Sequence, residues 1–163
     1  MPLKFEYGIK FEIDRIKNTL DKLEWYKKKG YKPLLSILTN NSTLNIESVV
    51  RKEYRRIDYQ KKLVEIKEEY NFIKKEFEKK IKKKFVLSKF PVIKVILTKY
   101  GVGGSYFLPN IVIINIEGNQ IKKPIIEVLK HEIIHLFAEK EVINKKLTHR
   151  EKELLIKEIE SKI

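Results

Sequence analysis

The residues from Ile46 to Lys84 form the stretch that most limits how this chain can fold, because they contain neither glycine nor proline. Apolar side chains recur there every three or four residues, at Ile66, Tyr70, Ile73, Phe77 and Ile81. This spacing places them on one face of an α-helix. Apolar residues repeat in the same way between Ile9 and Leu23. We therefore predict that residues 1–88 form a helical region in which two long helices pack as a hairpin.

After Ser88 the pattern changes from helical to extended. Residues 92–97 are rich in β-branched side chains, and residues 105–116 hold two apolar runs separated by Pro109 and Asn110. They predict three strands, the last two forming a hairpin. One helix is predicted to begin at Pro124, and another at Thr148, which has capping-box spacing to Glu151. The predicted fold is α+β: a helical region over residues 1–88, then a small domain over residues 89–163 with a three-stranded sheet and two helices.

Composition excludes several classes of site. The chain has no cysteine, which excludes disulfides, cysteine-ligated zinc, iron–sulfur clusters and thiol nucleophiles. The formal net charge is +14, and most of it lies in residues 1–90. Interleaved lysine and glutamate favour solvated helix faces there, with nucleic-acid binding as the alternative. Lysine and glutamate enrichment is also typical of proteins from hyperthermophiles.

The N-terminal sequence predicts no export or membrane insertion. Charged residues occur throughout residues 1–20, so a signal peptide is not expected. The longest uncharged run, from Tyr100 to Ile116, contains glycine, proline and asparagine and is too short to span a bilayer. We therefore expect a cytoplasmic protein.

The chemistry of the sequence is concentrated in HEIIH at residues 131–135. On a helix, His131 and His135 project from one face about 6 Å apart, close enough to share one zinc ion. Glu132 is offset around the helix and is placed to accept a proton from a water molecule that the metal activates. The motif predicts one Zn²⁺, with Glu132 as the general base.

A catalytic zinc site needs a third protein ligand and an open position. No histidine follows His135 closely, and the chain has no aspartate after Asp58, so a downstream ligand is glutamate or His149. Glu153 flanks the apolar stripe of the last helix, whereas Glu151 is already the capping-box partner. Glu153 is the first choice and Glu151 the second.

HEIIH, a short loop and THREKELLIKEI resemble the active-site and glutamate helices of gluzincin zinc metallopeptidases. The small size and the preceding strand hairpin resemble the minigluzincins, minimal soluble versions of catalytic domains otherwise found in membrane peptidases. The resemblance covers residues 90–163 and implies a zincin-like fold and peptide hydrolysis. It also implies a latent proform, with the N-terminal half as an inhibitory prosegment. Gluzincins commonly carry aspartate four residues after the glutamate ligand, where this chain has Lys157.

Other predictions concern partners. The stretch containing Ser105, Tyr106 and Phe107 is a candidate edge strand that binds an extended peptide substrate by β-augmentation. Two alternatives to a peptidase stay open. One is a basic zinc protein associated with nucleic acid, although residues 1–90 contain no known DNA-reading motif. The other is a non-catalytic helical interaction protein, which predicts either no zinc or a closed site with four ligands.

Overall fold

The computed structural model describes residues 1–35, 45–117 and 123–163. It confirms the α+β class, with six helices and four strands in the described residues. In chain order they are β1 (Leu3–Glu6), α1 (Ile9–Asp21), α2 (Leu23–Lys28), α3 (Ile46–Glu53), α4 (Arg56–Phe85), β2 (Ile93–Thr98), β3 (Gly104–Phe107), β4 (Ile111–Asn115), α5 (Ile125–Asn144) and α6 (His149–Glu160).

The strands form one mixed sheet in the order β1-β2-β4-β3. β1 and β4 run parallel to β2, and β3 pairs antiparallel with β4, as predicted for a hairpin. The predicted three-stranded sheet is wrong, because the first residues of the chain add a fourth strand. β1 has the alternation of a half-buried strand, with Leu3 and Phe5 packed on the core. At four residues it is too short to stand out from the charged sequence around it.

The predicted long helix is divided in two. Tyr54 and Arg55 have extended backbone angles and separate α3 from α4. The predicted hairpin is also wrong: α1 packs mainly on α3 and β2, whereas α4 packs on α5. Four of the five residues of the apolar stripe predicted for α4 are buried, and Ile73 is partly buried. The stripe joins the core beneath α5 instead of facing α1.

One large core lies between the sheet and the helices α4, α5 and α6, with contributions from both predicted parts of the chain. Leu129, Ile133 and Ile134 of α5 are fully buried in it. Each buried side chain of this size contributes about 1.5–3 kcal/mol, so the helix that carries HEIIH is firmly held. Within the described ranges, no helix is long and apolar enough to cross a membrane.

Candidate metal centre

The two histidines of HEIIH face each other on α5. They are four residues apart, so one helical turn brings their side chains together. The Nε2 atoms of His131 and His135 lie 3.1 Å apart, and the imidazole of His135 is nearly fully buried. The apolar residues that bury α5 on its other sides set the direction in which both rings point.

α6 brings a carboxylate to the same place. Its start is fixed by the predicted capping box, in which Thr148 accepts from the Glu151 N–H and Glu151 accepts from the Thr148 N–H. The carboxylate of Glu151 is therefore engaged in capping the helix, and its side chain is exposed. Glu153, the first-choice ligand, places Oε2 3.6 Å from Nε2 of His131 and Oε1 3.5 Å from Nε2 of His135.

These three side chains fit a zinc ion. Among the described residues, His131, His135 and Glu153 are the one group of metal-ligating side chains whose donor atoms all lie within 4.8 Å of one another. Ligands at about 2.0–2.1 Å from a tetrahedral zinc are about 3.3 Å apart. The two Nε2 atoms are 3.1 Å apart, and each has a different Glu153 oxygen at 3.5 or 3.6 Å. Two imidazoles and one carboxylate are also a donor set that zinc accepts in catalytic sites.

The charges of the three side chains depend on one another. Burial by itself would lower the pKa of His131. The contact with Glu153 and the charge of the nearby Glu132 have a larger effect and raise this pKa to about 9. Burial lowers the pKa of His135. Burial alone would raise the pKa of Glu153, but both histidines hold it well below its usual range. Without metal, the cluster is therefore an ion pair between Glu153 and protonated His131 at neutral pH.

Glu132 lies beside the cluster and is 7% exposed. Burial raises the pKa of its carboxyl to about 7, against the opposing effect of His131. The carboxylate lies directly against Gly104 of β3, where a Cβ atom would collide with it. Glycine is needed here because it lets the strand approach the carboxylate so closely.

The predicted substrate-binding residues divide between the two faces of β3. Tyr106 faces α5, and its ring stacks on His135 at 4.9 Å between centroids. Its hydroxyl donates to Glu139 at 2.5 Å and accepts from Lys152 at 3.1 Å. Ser105 and Phe107 face the other way, as alternation along a strand requires. Arg15 of α1 donates to the Ser105 hydroxyl, and Lys22 lies over the Phe107 ring.

Sequence reasoning missed residues that reach the site from elsewhere in the chain. The Tyr31 hydroxyl lies 3.3 Å from Nε2 of His149, whose Nδ1 is 3.9 Å from Oε1 of Glu153. Trp25 stacks on Tyr31 and meets His149 edge-on. No local pattern marks Tyr31, because only the packing of α2 beside α6 brings it to the site.

A further contact holds His131. Its Nδ1 lies 2.8 Å from Oε1 of Glu160, seven residues after Glu153 on α6. Two helical turns separate these glutamates, so they share a face, and that spacing is a signal present in the sequence. No protein family, curated protein or solved structure matches this chain. The functional argument therefore depends on the geometry of these residues.

Proposed function

We propose that this chain is a zinc-dependent peptidase of the gluzincin type. The observation that carries the proposal is the cluster of His131, His135 and Glu153, with the buried Glu132 next to it on α5. A zinc ion bound by these three side chains supplies a Lewis acid and lowers the pKa of a coordinated water toward 7. Three protein ligands leave a position open for chemistry, as in catalytic rather than structural zinc sites.

Glu132 is the residue proposed to move protons. It accepts a proton from the attacking water and later delivers it to the leaving amine. A carboxyl beside the metal site suits both steps, and burial raises the pKa of this one, which favours its taking up a proton. The backbone of β3 approaches this carboxylate closely at Gly104 and so limits where the carboxylate can lie.

The edge strand β3 supports an extended peptide as the substrate. The Asn115 N–H donates to the Gly103 carbonyl, so every second residue from Gly103 onward points its backbone N–H and C=O groups toward β4. It follows that the N–H and C=O groups of Gly104 and Tyr106 turn away from β4. A peptide adding as a strand at this edge would pair with them beside Glu132 and His135.

The proposed latency of this chain has support in the contacts of α2 and of the residues just after it. Trp25 and Tyr31 pack against His149 at the Glu153 side of the cluster. Residues that precede position 88 therefore border the site on this side. We propose that they restrict access to it, so the isolated chain hydrolyses peptides slowly.

Zinc binding and peptide hydrolysis test the proposal together. Zinc content and affinity are measured for the wild type, His131→Ala, Glu153→Ala and Glu132→Gln. Glu151→Gln is the matched control, because it lies on the same helix and glutamine retains a capping box. Hydrolysis of a mixed peptide library is followed by mass spectrometry.

The proposal requires one zinc per wild-type chain, with loss of zinc in His131→Ala and Glu153→Ala. Glu132→Gln should keep zinc and lose about 10²–10⁴-fold in hydrolysis rate. Glu151→Gln should behave as the wild type. If the wild type binds no zinc after refolding with the metal, the proposal is wrong, and DNA binding as a function of salt becomes the next measurement.

A further inference from the structure

The imidazole of His131 lies between two carboxylates of one helix. Glu153 faces its Nε2 atom at 3.6 Å, and Glu160 faces its Nδ1 atom at 2.8 Å. The two glutamates are separated by two turns of α6, so the helix runs along the ring and presents one carboxylate at each end. The candidate zinc ligand set uses only the Nε2 side. The contact between Glu160 and Nδ1 of His131 therefore has no role in the proposed reaction as described above.

We propose that Glu160 is a positioning residue of the metal centre, and this inference rests on the proposed zinc site. A carboxylate only accepts hydrogen bonds, so its contact with Nδ1 places a proton on that nitrogen. When His131 gives up one proton to bind a metal, Nε2 is therefore the nitrogen whose lone pair becomes available, on the side where His135 and Glu153 lie. Glu160 thus sets both the tautomer and the orientation of the ring.

The end of α6 is held firmly enough for this role. Ile159, next to Glu160, is 2% exposed and packs in the main core. Beyond the helix, Lys80 of α4 donates to the Ile163 carbonyl at 2.7 Å. The last turn of α6 is therefore fixed against α4, and the Glu160 carboxylate meets His131 from a set position.

His135 is held differently from His131. Its Nδ1 atom is buried and has no hydrogen-bond partner in the part of the chain that the structure describes. Its ring is instead held by stacking on Tyr106. Since His131 is the ligand with a carboxylate partner, loss of Glu160 should weaken the metal site measurably. Removal of such outer partners typically costs 10–100-fold in metal affinity.

The test compares zinc dissociation constants of the wild type, Glu160→Ala, Glu160→Gln and a control, by competition with a chromophoric chelator. The control is Glu158→Ala, because Glu158 lies on the same turn, is exposed and pairs with Lys162. Circular dichroism melting verifies that each variant folds. A second readout is the Nδ1–H resonance of His131 in protein labelled with ¹⁵N-histidine, assigned by its loss in His131→Ala.

We expect Glu160→Ala to bind zinc about 10–100-fold more weakly than the wild type and to lose the protected Nδ1–H resonance. Glu160→Gln should recover part of both, because its amide oxygen still accepts from Nδ1, and Glu158→Ala should match the wild type. Unchanged zinc affinity in Glu160→Ala would overturn the inference while leaving the proposed function standing. A wild type that binds no zinc would refute the metal centre itself, and the resonance would then report only whether the hydrogen bond forms.

Discussion

Glu12 carries a buried carboxylate, and this makes the stability of the fold depend on pH. It lies on α1 and is 1% exposed. It accepts hydrogen bonds from the Tyr59 hydroxyl and, at 2.8 Å, from the Lys99 N–H. Its second oxygen has no hydrogen-bond partner among the described residues. Burial raises the pKa of Glu12 to about 7, although both hydrogen bonds lower it.

The sign and size of the effect follow from this pKa. The ordinary value for glutamate is 4.5, so between pH 4.5 and about 7 the folded protein holds a proton that the unfolded chain has lost. The stabilisation is fully present below pH 4.5 and is lost as the pH rises through about 7. With about 1.4 kcal/mol for each pKa unit, the loss is about 3 kcal/mol. Glutamine at position 12 does not titrate and should remove this loss.

Urea unfolding measures the free energy of unfolding of the wild type and Glu12→Gln from about pH 4 to about pH 8.5, in chelator-treated protein. The free energy of the variant minus that of the wild type should rise by about 3 kcal/mol across this range. The control is Glu68→Gln, since Glu68 is exposed on α4. A difference for Glu12→Gln that stays constant with pH would refute the argument from burial.

Two further predictions concern the metal centre. In Gly104→Ala, the added Cβ collides with the carboxylate of Glu132, so peptide hydrolysis should fall about 10²-fold. The zinc dissociation constant, measured by chelator competition, should stay within about twofold of the wild-type value. Equal losses of hydrolysis and of zinc affinity would contradict this role for Gly104. Because the pKa of His131 without metal is about 9, zinc must displace its proton. Calorimetry at about pH 8 in buffers of different ionisation enthalpy should detect at least about one proton released per zinc, to which a coordinated water would add. Apparent affinity should rise with pH up to about 9, and binding without proton release would exclude this pKa.

The parts of the fold that could be predicted are those set by local spacing. The stripe from Ile66 to Ile81 is buried in α4 because helical periodicity fixes which side chains share a face. The break at Tyr54 and Arg55 has no such signal, since neither residue is glycine or proline. The Tyr54 ring stacks on Tyr59 at 5.0 Å, a contact that forms only when the chain leaves the helix and starts again.

The same distinction applies to the site. His131 and His135 could be paired from sequence because one helical turn determines their separation. Glu153 could be preferred to Glu151 as a candidate ligand because a capping box occupies Glu151, and Glu153 is the one that lies beside the two histidines. From the sequence, no carboxylate partner is assigned to His131. Glu160 takes this place: its spacing of two turns from Glu153 puts both on one face of α6, and the packing of α6 against α5 brings that face to His131.

The N-terminal part of the chain also shapes the wall of the candidate site. Arg15 of α1 is buried and donates to the Val102 carbonyl at 3.2 Å and the Ser105 hydroxyl at 3.0 Å. Its guanidinium occupies the space that a Cβ would take at Gly101, whose φ of 84° also favours glycine. This one side chain therefore holds the turn that leads into β3, and with it Gly104 against Glu132. A residue that precedes HEIIH by more than a hundred positions thus fixes the position of the strand that faces Glu132, the proposed general base.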